Sequence, residues 1–358
     1  MQGVILAAGF GTRLWPLTVD RTKPAIPFLG KPLITYSVEY LASYRINDIT
    51  INLHHQPESV RNAIGYGSSF GVQVRYSLEE EILGTSGALD RMRDWLSQDD
   101  FIVINGKIIT DVDLAAAVRD HQESGAIATL VLRPNTARER FSIVETDGHS
   151  RVTGFDGFPE PVTPGRSIGD SGEAPDEPRK RHDGDADAPG TGRQQLGGAG
   201  VPLMFTGIQV LSPRIFGYIP RDRFSHSTVD VYPQAIRAGE TVLAHVSDAN
   251  WFELSTLERY LAASLTFIRK QGGDVVKGSG SRIDPGAVVT DSVLWDRVNV
   301  EAGARVRFAI VGDDVTVPAG SDIRWAAVVR REIVTDLERG QIVGDNVVVP
   351  LNQNYPVL

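Results

Sequence analysis

A short apolar run near the start of the chain leads into a loop with the composition of a phosphate-binding site. Residues 4–7 are apolar and predict a buried strand, and Gly9 and Gly11 follow directly. Glycines let backbone N–H groups approach a polyphosphate closely, and Arg13 and Lys23 add fixed positive charge. No Gly-Lys-Ser/Thr sequence closes the loop and a leucine takes the place of a third glycine, so it is neither a Walker loop nor a dinucleotide fingerprint. Two glycines alone are also compatible with a plain tight turn.

Strand-like and helix-like runs alternate after this loop and predict the elements that must position it. The strand-like runs are residues 4–7, 49–53, 72–77, 101–105 and 126–133, and the helix-like runs are residues 57–64, 86–95 and 113–123. The alternation predicts an α/β fold with a Rossmann-like, mostly parallel sheet and helices on both faces. Ligands of such sheets bind beyond the carboxyl ends of the strands. We therefore expect the glycine loop, Asn105-Gly106-Lys107 and residues 83–87 to meet there.

The composition limits the classes of partner. The 358 residues leave room for one large α/β domain and a smaller one. A net charge of −9 argues against a general nucleic-acid surface, so a phosphate site should be a local basic pocket. The chain contains no cysteine, which excludes disulfides, thiolate catalysis and zinc–thiolate sites. No apolar run approaches membrane-spanning length, so we expect no membrane partner and a cytoplasmic protein.

Two later stretches depart from the α/β pattern. Residues 160–200 are crowded with Gly, Pro, Asp and Arg and lack aromatic side chains, which predicts a disordered insertion. Further on, a corner glycine recurs every 17 residues, at Gly286, Gly303 and Gly320, between aliphatic positions with the same spacing. A short repeat of this kind predicts stacked β-coils.

A helix start is predicted between these two stretches. Ser255 and Glu258 have the spacing of a capping box, so a helix should begin just after Ser255. Glu253 would then lie on the strand or loop that leads into this helix.

The glycine loop and its surroundings resemble the signature of the sugar-1-phosphate nucleotidylyltransferases. The residues that carry the resemblance are Leu6-Ala7-Ala8-Gly9-Phe10-Gly11-Thr12-Arg13-Leu14, Pro16-Leu17-Thr18 and Lys23-Pro24. Two further segments are similar to the mannose-1-phosphate guanylyltransferase group, namely Asn52-Leu53-His54-His55 and Leu83-Gly84-Thr85-Ser86-Gly87. The resemblance implies a nucleotidyltransferase domain over residues 1–268, which would contain the insertion. A left-handed hexapeptide-repeat β-helix would follow at residues 278–350.

In this family a sugar-1-phosphate oxygen attacks the α-phosphate of a nucleoside triphosphate, and pyrophosphate leaves. Arg13 and Lys23 match the family's residues at the reacting phosphates, so the resemblance implies catalytic roles for both. It also implies sugar contacts at Thr206 and Gly207. The nucleotide site that it implies consists of Leu6, Ala7, Ala8, Gly9, Gly11, Thr12, Arg13, Glu79, Gly84, Asn105 and Gly106.

The segment that begins at Glu79 is the expected place of base recognition. A carboxylate at Glu79 could accept hydrogen bonds from guanine N1–H and the 2-amino group, and Gly84 could give a base close access to the backbone. This favours GTP. The alternative is an exposed acidic loop, because three glutamates stand in a row at 79–81.

The family pattern breaks at its metal and sugar positions. The usual Asn-Gly-Asp, whose aspartate holds Mg²⁺, is here Asn105-Gly106-Lys107, and the second carboxylate survives as Glu253. The sugar-site motif Phe-x-Glu-Lys-Pro is here Phe155-Asp156-Gly157-Phe158-Pro159. Loss of one carboxylate should weaken Mg²⁺ binding, and a lysine would repel the cation. One hypothesis is that Lys107 forms an ion pair with Glu253 and serves as a built-in cation for the α-phosphate.

Two functions remain open from the sequence. The first is an enzyme that joins a nucleoside triphosphate, most simply GTP, to mannose-1-phosphate or a related hexose-1-phosphate. The alternative is a catalytically weak homologue that binds a nucleotide sugar and regulates a partner, which the altered metal and sugar positions favour. An acyltransferase built on the repeats is disfavoured because no histidine falls within them. The repeats are expected to serve as a lid, a regulatory module or an oligomerisation module, and the expected partner is a second copy of the chain, bound through the repeats.

Overall fold

The computed structural model of the chain describes residues 1–136, 141–155 and 201–355. The predicted insertion, residues 160–200, lies outside this range. The α-helices are α1 (Leu33–Ser43), α2 (Pro57–Ile64), α3 (Gly84–Arg91), α4 (Arg93–Leu96), α5 (Leu114–Ser124), α6 (Tyr232–Arg237) and α7 (Leu257–Lys270). The strands are β1 (Gln2–Leu6), β2 (Pro27–Phe28), β3 (Lys31–Pro32), β4 (Asp48–Leu53), β5 (Gln73–Leu78), β6 (Phe101–Asn105), β7 (Ile108–Thr110), β8 (Ala128–Pro134), β9 (Ile143–Thr146), β10 (Val152–Phe155), β11 (Leu203–Leu211), β12 (Val242–Val246), β13 (Trp251–Glu253), β14 (Val275–Lys277), β15 (Arg282–Ile283), β16 (Val288–Thr290), β17 (Ser292–Leu294), β18 (Asn299–Val300), β19 (Arg305–Val311), β20 (Thr316–Val317), β21 (Asp322–Arg330), β22 (Gln341–Val343) and β23 (Asn346–Pro350).

The alternation of strands and helices is confirmed, and most boundaries differ from the predicted ones by one or two residues. Strand β1 ends at Leu6 rather than at residue 7, because the Ala7 N–H donates to Asn52 Oδ1 (2.6 Å) instead of to a ladder. The helical run 86–95 is two helices, α3 and α4, with a break at Met92. The helix that the sequence places directly after Ser255 begins at Leu257.

The chain folds into two compact units built from interleaved segments. The first consists of Met1–Val4, Glu79–Ile104 and Val112–Ala249, and the second of Ile5–Leu78, Asn105–Asp111 and Asn250–Leu358. Strand β1 runs from one into the other. Among the helices of the described ranges, none has the length and apolar character that a bilayer crossing requires.

The predicted α/β fold is confirmed, and the part of the sheet in the first unit contains both parallel and antiparallel pairs. Strand β11 runs antiparallel to β6, β8 and β9, whereas β12 runs parallel to β8. Helix α5 packs on β8, where His121 hydrogen-bonds the Thr129 hydroxyl (2.9 Å). An apolar core of residues such as Phe101, Leu130 and Ile208 fills the space between the layers.

The second unit contains the parallel pair β4–β5, the antiparallel pair β7–β13 and the C-terminal repeat. Strands β17, β19 and β21 stack in parallel with an offset of 17 residues, so Val293 pairs with Ile310 and Arg305 with Asp322. Strands β15, β18 and β20 stack in the same way on another face. The predicted β-coils are confirmed. Antiparallel strands β23 and β22 follow the last parallel strand.

Residues 12–28, which we call the arm, pack directly on these coils. The arm follows the glycine loop and carries Arg13 and Lys23. Its side chains Leu14 and Leu17 belong to the same buried core as Trp295 of the coils. The Tyr260 hydroxyl of α7 donates to the carbonyl oxygen of Pro27 (2.5 Å) and accepts from Trp295 Nε1 (2.9 Å). The arm is therefore fixed to the repeat by a buried hydrogen-bonded bridge.

We expect Tyr260→Phe to lower the free energy of unfolding by about 2 kcal/mol, because it leaves the Trp295 N–H and the Pro27 carbonyl without this partner in a buried place. Urea unfolding followed by circular dichroism would measure the change. Tyr66→Phe is the matched control, since Tyr66 is 82% exposed. Equal effects of the two substitutions would contradict the bridge.

Candidate active site

The glycine loop closes against the arm. Gly11 has a left-handed φ of 72°, and a Cβ built on it would lie 3.1 Å from the Cβ of Lys23. The Thr18 hydroxyl donates to the Gly11 carbonyl (3.1 Å), and the Thr22 hydroxyl donates to the Gly9 carbonyl (3.4 Å). A non-glycine residue at position 11 would be strained and would also displace Lys23. The loop and the predicted catalytic lysine therefore form one connected structure.

The segment Asn105-Gly106-Lys107 lies at the end of β1, as the carboxyl-end rule predicts. The Gly106 N–H donates to the Leu6 carbonyl (2.9 Å), and a Cβ at Gly106 would lie 3.0 Å from Ile5 Cγ2. This close approach requires glycine. The predicted phosphate loop and the segment that carries Lys107 are thus neighbours within one unit.

Lys107 and Glu253 form the predicted ion pair. Lys107 Nζ lies 2.6 Å from Glu253 Oε1. The backbone fixes both residues, because β7 and β13 pair antiparallel and the Leu254 N–H donates to the Lys107 carbonyl (3.0 Å). Glu253 lies on the strand before α7, as predicted, and its side chain is only 3% exposed, whereas that of Lys107 is 28% exposed. The Lys107 side chain is therefore partly exposed to solvent, whereas the Glu253 carboxylate that binds it is buried.

The second carboxylate oxygen of Glu253 is also occupied. It accepts hydrogen bonds from the Ser255 hydroxyl and from Arg259 Nη1 (3.1 Å). The predicted capping box of Ser255 with Glu258 is wrong, because Ser255 turns to Glu253 and Thr256 caps α7 by accepting from the Arg259 N–H (3.3 Å). The contribution of Arg259 was not predicted from the sequence. Its position in the first turn of α7 was the available signal.

The partners of Glu253 determine its charge state. Burial alone would raise the pKa of its carboxyl, but the charge and hydrogen bond of Lys107, the Ser255 hydroxyl and the charge of Arg259 together outweigh burial. The result is a pKa lowered from 4.5 to about 2. Glu253 is therefore ionised throughout the neutral range.

This donor set does not fit the Mg²⁺ that the resemblance implies. Mg²⁺ requires oxygen ligands in near-octahedral geometry. Glu253 would have to give up an ammonium and a guanidinium to become a ligand, and both cations would remain beside the ion. In the described parts of the chain, no group of three or more His, Cys, Asp or Glu side chains could hold a metal ion. We derive no step of the reaction from a metal at Glu253.

In the other unit, Glu79 is buried rather than part of an exposed acidic loop. Its Oε2 accepts from the Leu83 N–H (3.0 Å), which orders the turn before α3. Gly84 has a φ of 74°, and a Cβ there would lie 2.5 Å from the carbonyl oxygen of Ser225. The close approach that this glycine permits is thus to the chain's own backbone. The Ser227 hydroxyl also hydrogen-bonds Ser86 Oγ (2.8 Å) and so stabilises the same turn. No local sequence signal predicts the contacts of Ser225 and Ser227 with this turn.

Thr206 and Gly207 lie on β11 of the same unit, at an irregularity in its pairing with β8. The Thr206 hydroxyl donates to the Val131 carbonyl (2.7 Å) and accepts from the Ile208 N–H (3.3 Å). Gly207 has a φ of 82°, which the shift in register between Phe205 and Gln209 requires. The Thr206 side chain therefore stabilises the bulge. The contacts of Thr206 and Gly207 with the sugar stay a prediction.

Comparison with known proteins identifies the family to which this geometry belongs. The family profile described as nucleotidyl transferase matches residues 2–270, which is more than half of the chain. The chain belongs to the nucleotidyl transferase family. A second profile, described as GlmU-like, C-terminal hexapeptide, matches residues 271–347. Members of the nucleotidyl transferase family usually use a divalent metal ion.

Named relatives of this nucleotidyl transferase act on sugar-1-phosphates. A UTP–glucose-1-phosphate uridylyltransferase from Synechocystis sp. is 27% identical, with 84% of this chain and 72% of the relative covered. A mannose-1-phosphate guanylyltransferase from Mycobacterium tuberculosis is 25% identical, with 84% and 82% covered. The solved structure of HddC from Yersinia pseudotuberculosis, complexed with GMP-PN, covers 74% of this chain and 99% of its own, with a TM-score of 0.55 and 22% identity. This last likeness concerns the fold alone.

Proposed function

We propose that this chain transfers a nucleoside monophosphate from a nucleoside triphosphate to a sugar-1-phosphate and releases pyrophosphate. One observation carries the proposal. The glycine loop packs against Lys23 on one side, and its strand packs against Gly106 beside Lys107 on the other. The chain segments that carry Lys23 and Lys107 therefore lie beside a loop of backbone N–H groups, and a triphosphate needs both such N–H groups and positive charge.

The reaction is an in-line displacement at the α-phosphorus. A phosphate oxygen of the sugar-1-phosphate forms the new P–O bond, and the bond from the α-phosphorus to the oxygen that bridges to the β-phosphate breaks, with the electron pair leaving on pyrophosphate. Such a reaction needs positioning and positive charge more than covalent help. We assign Arg13 and Lys23 to the triphosphate and its leaving pyrophosphate, and the Lys107 ammonium to the α-phosphate.

For the nucleotide we propose GTP, and for the sugar mannose-1-phosphate or a related hexose-1-phosphate. Glu79 lies at the turn before α3, and its carboxylate is the acceptor that guanine N1–H and its 2-amino group would use. Gly84 stays in the proposed site as the first residue of α3, with Thr206 and Gly207 on the sugar side. One named relative is a guanylyltransferase, although another is a uridylyltransferase.

The remaining parts of the proposal concern organisation. We assign nucleotidyl transfer to residues 1–268 and self-association to the coils at residues 278–350. We place the enzyme in the cytoplasm, where nucleoside triphosphates and sugar phosphates are available.

A second candidate function is a regulatory homologue that binds a nucleotide sugar with little turnover. One observation favours it: Lys107 occupies the position of the family's metal carboxylate and neutralises Glu253.

Pyrophosphate release by the full chain, measured for each common nucleoside triphosphate with a panel of sugar-1-phosphates, tests both candidates. We expect the fastest release with GTP and a hexose-1-phosphate, and we expect it to persist after Mg²⁺ is reduced to a trace. Turnover with another pair would correct the substrates. No turnover, together with tight binding of a nucleotide sugar, would support the regulatory homologue instead.

A further inference from the structure

Arg21 of the arm is held by three groups. Its guanidinium makes paired hydrogen bonds to the neighbouring Asp20 (2.9 and 3.0 Å). Its Nη2 lies 2.8 Å from Asp313 Oδ2, and its Cζ lies 5.1 Å from the ring centroid of Trp295. Asp313 and Trp295 both belong to the coils. Since Lys23 is only two residues further along the chain, these contacts fix the part of the arm that carries it.

The two coil residues are themselves rigidly held. The Trp295 indole N–H donates to the buried Tyr260 hydroxyl (2.9 Å), so the ring has one orientation. Asp313 Oδ1 accepts from the Asp296 N–H (3.0 Å) at the preceding coil. Both side chains also line a narrow gap, together with Pro16 and Leu17 of the arm. The coils therefore offer Arg21 a preformed receptor of one carboxylate and one aromatic face.

We infer that Asp313 and Trp295 of the repeat are positioning residues for the nucleotide. They act through Arg21 and set the place of Lys23 relative to the glycine loop. Arg21 is a tether rather than a phosphate ligand, because two carboxylates and an aromatic ring already surround its guanidinium. The repeat thus contributes to nucleotide affinity without touching the nucleotide. This inference rests on the proposed function.

The first test is Asp313→Asn in the full chain. The amide keeps an oxygen for the Asp296 N–H but presents no charge to Arg21. We expect the Kd for a fluorescent GTP analogue to rise about fivefold, since a small displacement of a binding group already weakens its contacts. The matched control is Asp322→Asn, which removes a carboxylate paired with exposed Arg324 (2.8 Å) on the same coils. We expect this control to bind the analogue as the natural protein does.

A double-mutant cycle separates positioning from a general loss of structure. If Asp313 acts through Arg21, then Asp313→Asn should add nothing to the Kd in an Arg21→Gln background. Trp295→Phe keeps an aromatic face, so its effect on Kd should be smaller than that of Asp313→Asn at matched thermal midpoints.

The binding measurements distinguish failure of the positioning role from failure of the proposed function. An unchanged Kd in Asp313→Asn, or equal additive effects in both backgrounds, would overturn the positioning role while leaving the proposed function intact. If the natural protein binds no nucleoside triphosphate at all, the proposed function fails, and the inference fails with it.

Discussion

Replacing Lys107 by methionine is expected to lower kcat/KM for nucleotidyl transfer by about 100-fold, the size of effect that follows removal of one preorganised charge from a transition state. Methionine keeps an unbranched side chain of similar length but loses the ammonium. Glu253 retains Ser255 and Arg259 as partners, so the buried carboxylate is not left alone. Steady-state pyrophosphate release at several GTP concentrations would measure the change.

Lys31→Met is the matched control for this substitution. Lys31 also forms an ion pair, with Glu39 at 2.5 Å, but at the exposed surface of the same unit. We expect it to keep the natural rate. If Lys107→Met also kept that rate, Lys107 would have no role at the α-phosphate.

A reverse substitution tests the metal question separately. Lys107→Asp would place two carboxylates side by side, and we expect it to bind Mg²⁺ in a calorimetric titration where the natural protein shows no such binding. Its turnover should then depend on Mg²⁺. Mg²⁺ binding of equal strength in both proteins would contradict the conclusion that the natural site at Glu253 does not fit Mg²⁺.

Acidification is expected to remove about 3 kcal/mol of folding free energy that depends on Glu253, because its pKa is about 2 in the folded chain against an ordinary 4.5. The unfolded chain binds the proton more readily than the folded one. The contribution is therefore complete above about pH 5 and is lost as the pH falls towards about 2. Urea unfolding at a series of pH values would measure it.

Glu253→Gln should lower stability at neutral pH by a similar amount and flatten the acid part of the profile, since no carboxylate remains to be protonated there. Glu58→Gln serves as the control: it breaks an exposed ion pair with Arg61, and such pairs contribute under about 0.5 kcal/mol. A profile for Glu253→Gln that parallels the natural one would show that other carboxylates carry the acid sensitivity.

The elements and the repeat were predictable because their signals are local. Strand β6 and helix α2 lie at the predicted residues, and the 17-residue interval of the corner glycines is the register of the stacked strands. The ion pair between Lys107 and Glu253 was predictable for a different reason. A family pattern with one altered charge indicated which two residues face each other.

The rest depends on contacts between residues distant in the chain, for which sequence holds no periodic signal. Nothing near Gly84 in the sequence indicates that a Cβ there would lie 2.5 Å from the Ser225 carbonyl oxygen, so the sequence alone suggests only access for a base. Thr256, the N-cap of α7, was not predicted, because Ser255 one position earlier has the spacing of a capping box with Glu258. Likewise, neither the sequence around Arg21 nor the sequence around Asp313 predicts the contact between these two residues.

The core shared by the arm and the coils also constrains how this chain can change over generations. Leu17, Trp295 and Val329 line the same narrow gap, so a bulkier side chain at one of them is tolerable only with a smaller one opposite. Distant stretches of the gene are thereby subject to a single selective pressure. A recombination event that exchanged the repeat array for that of another gene would have to bring a matching arm with it.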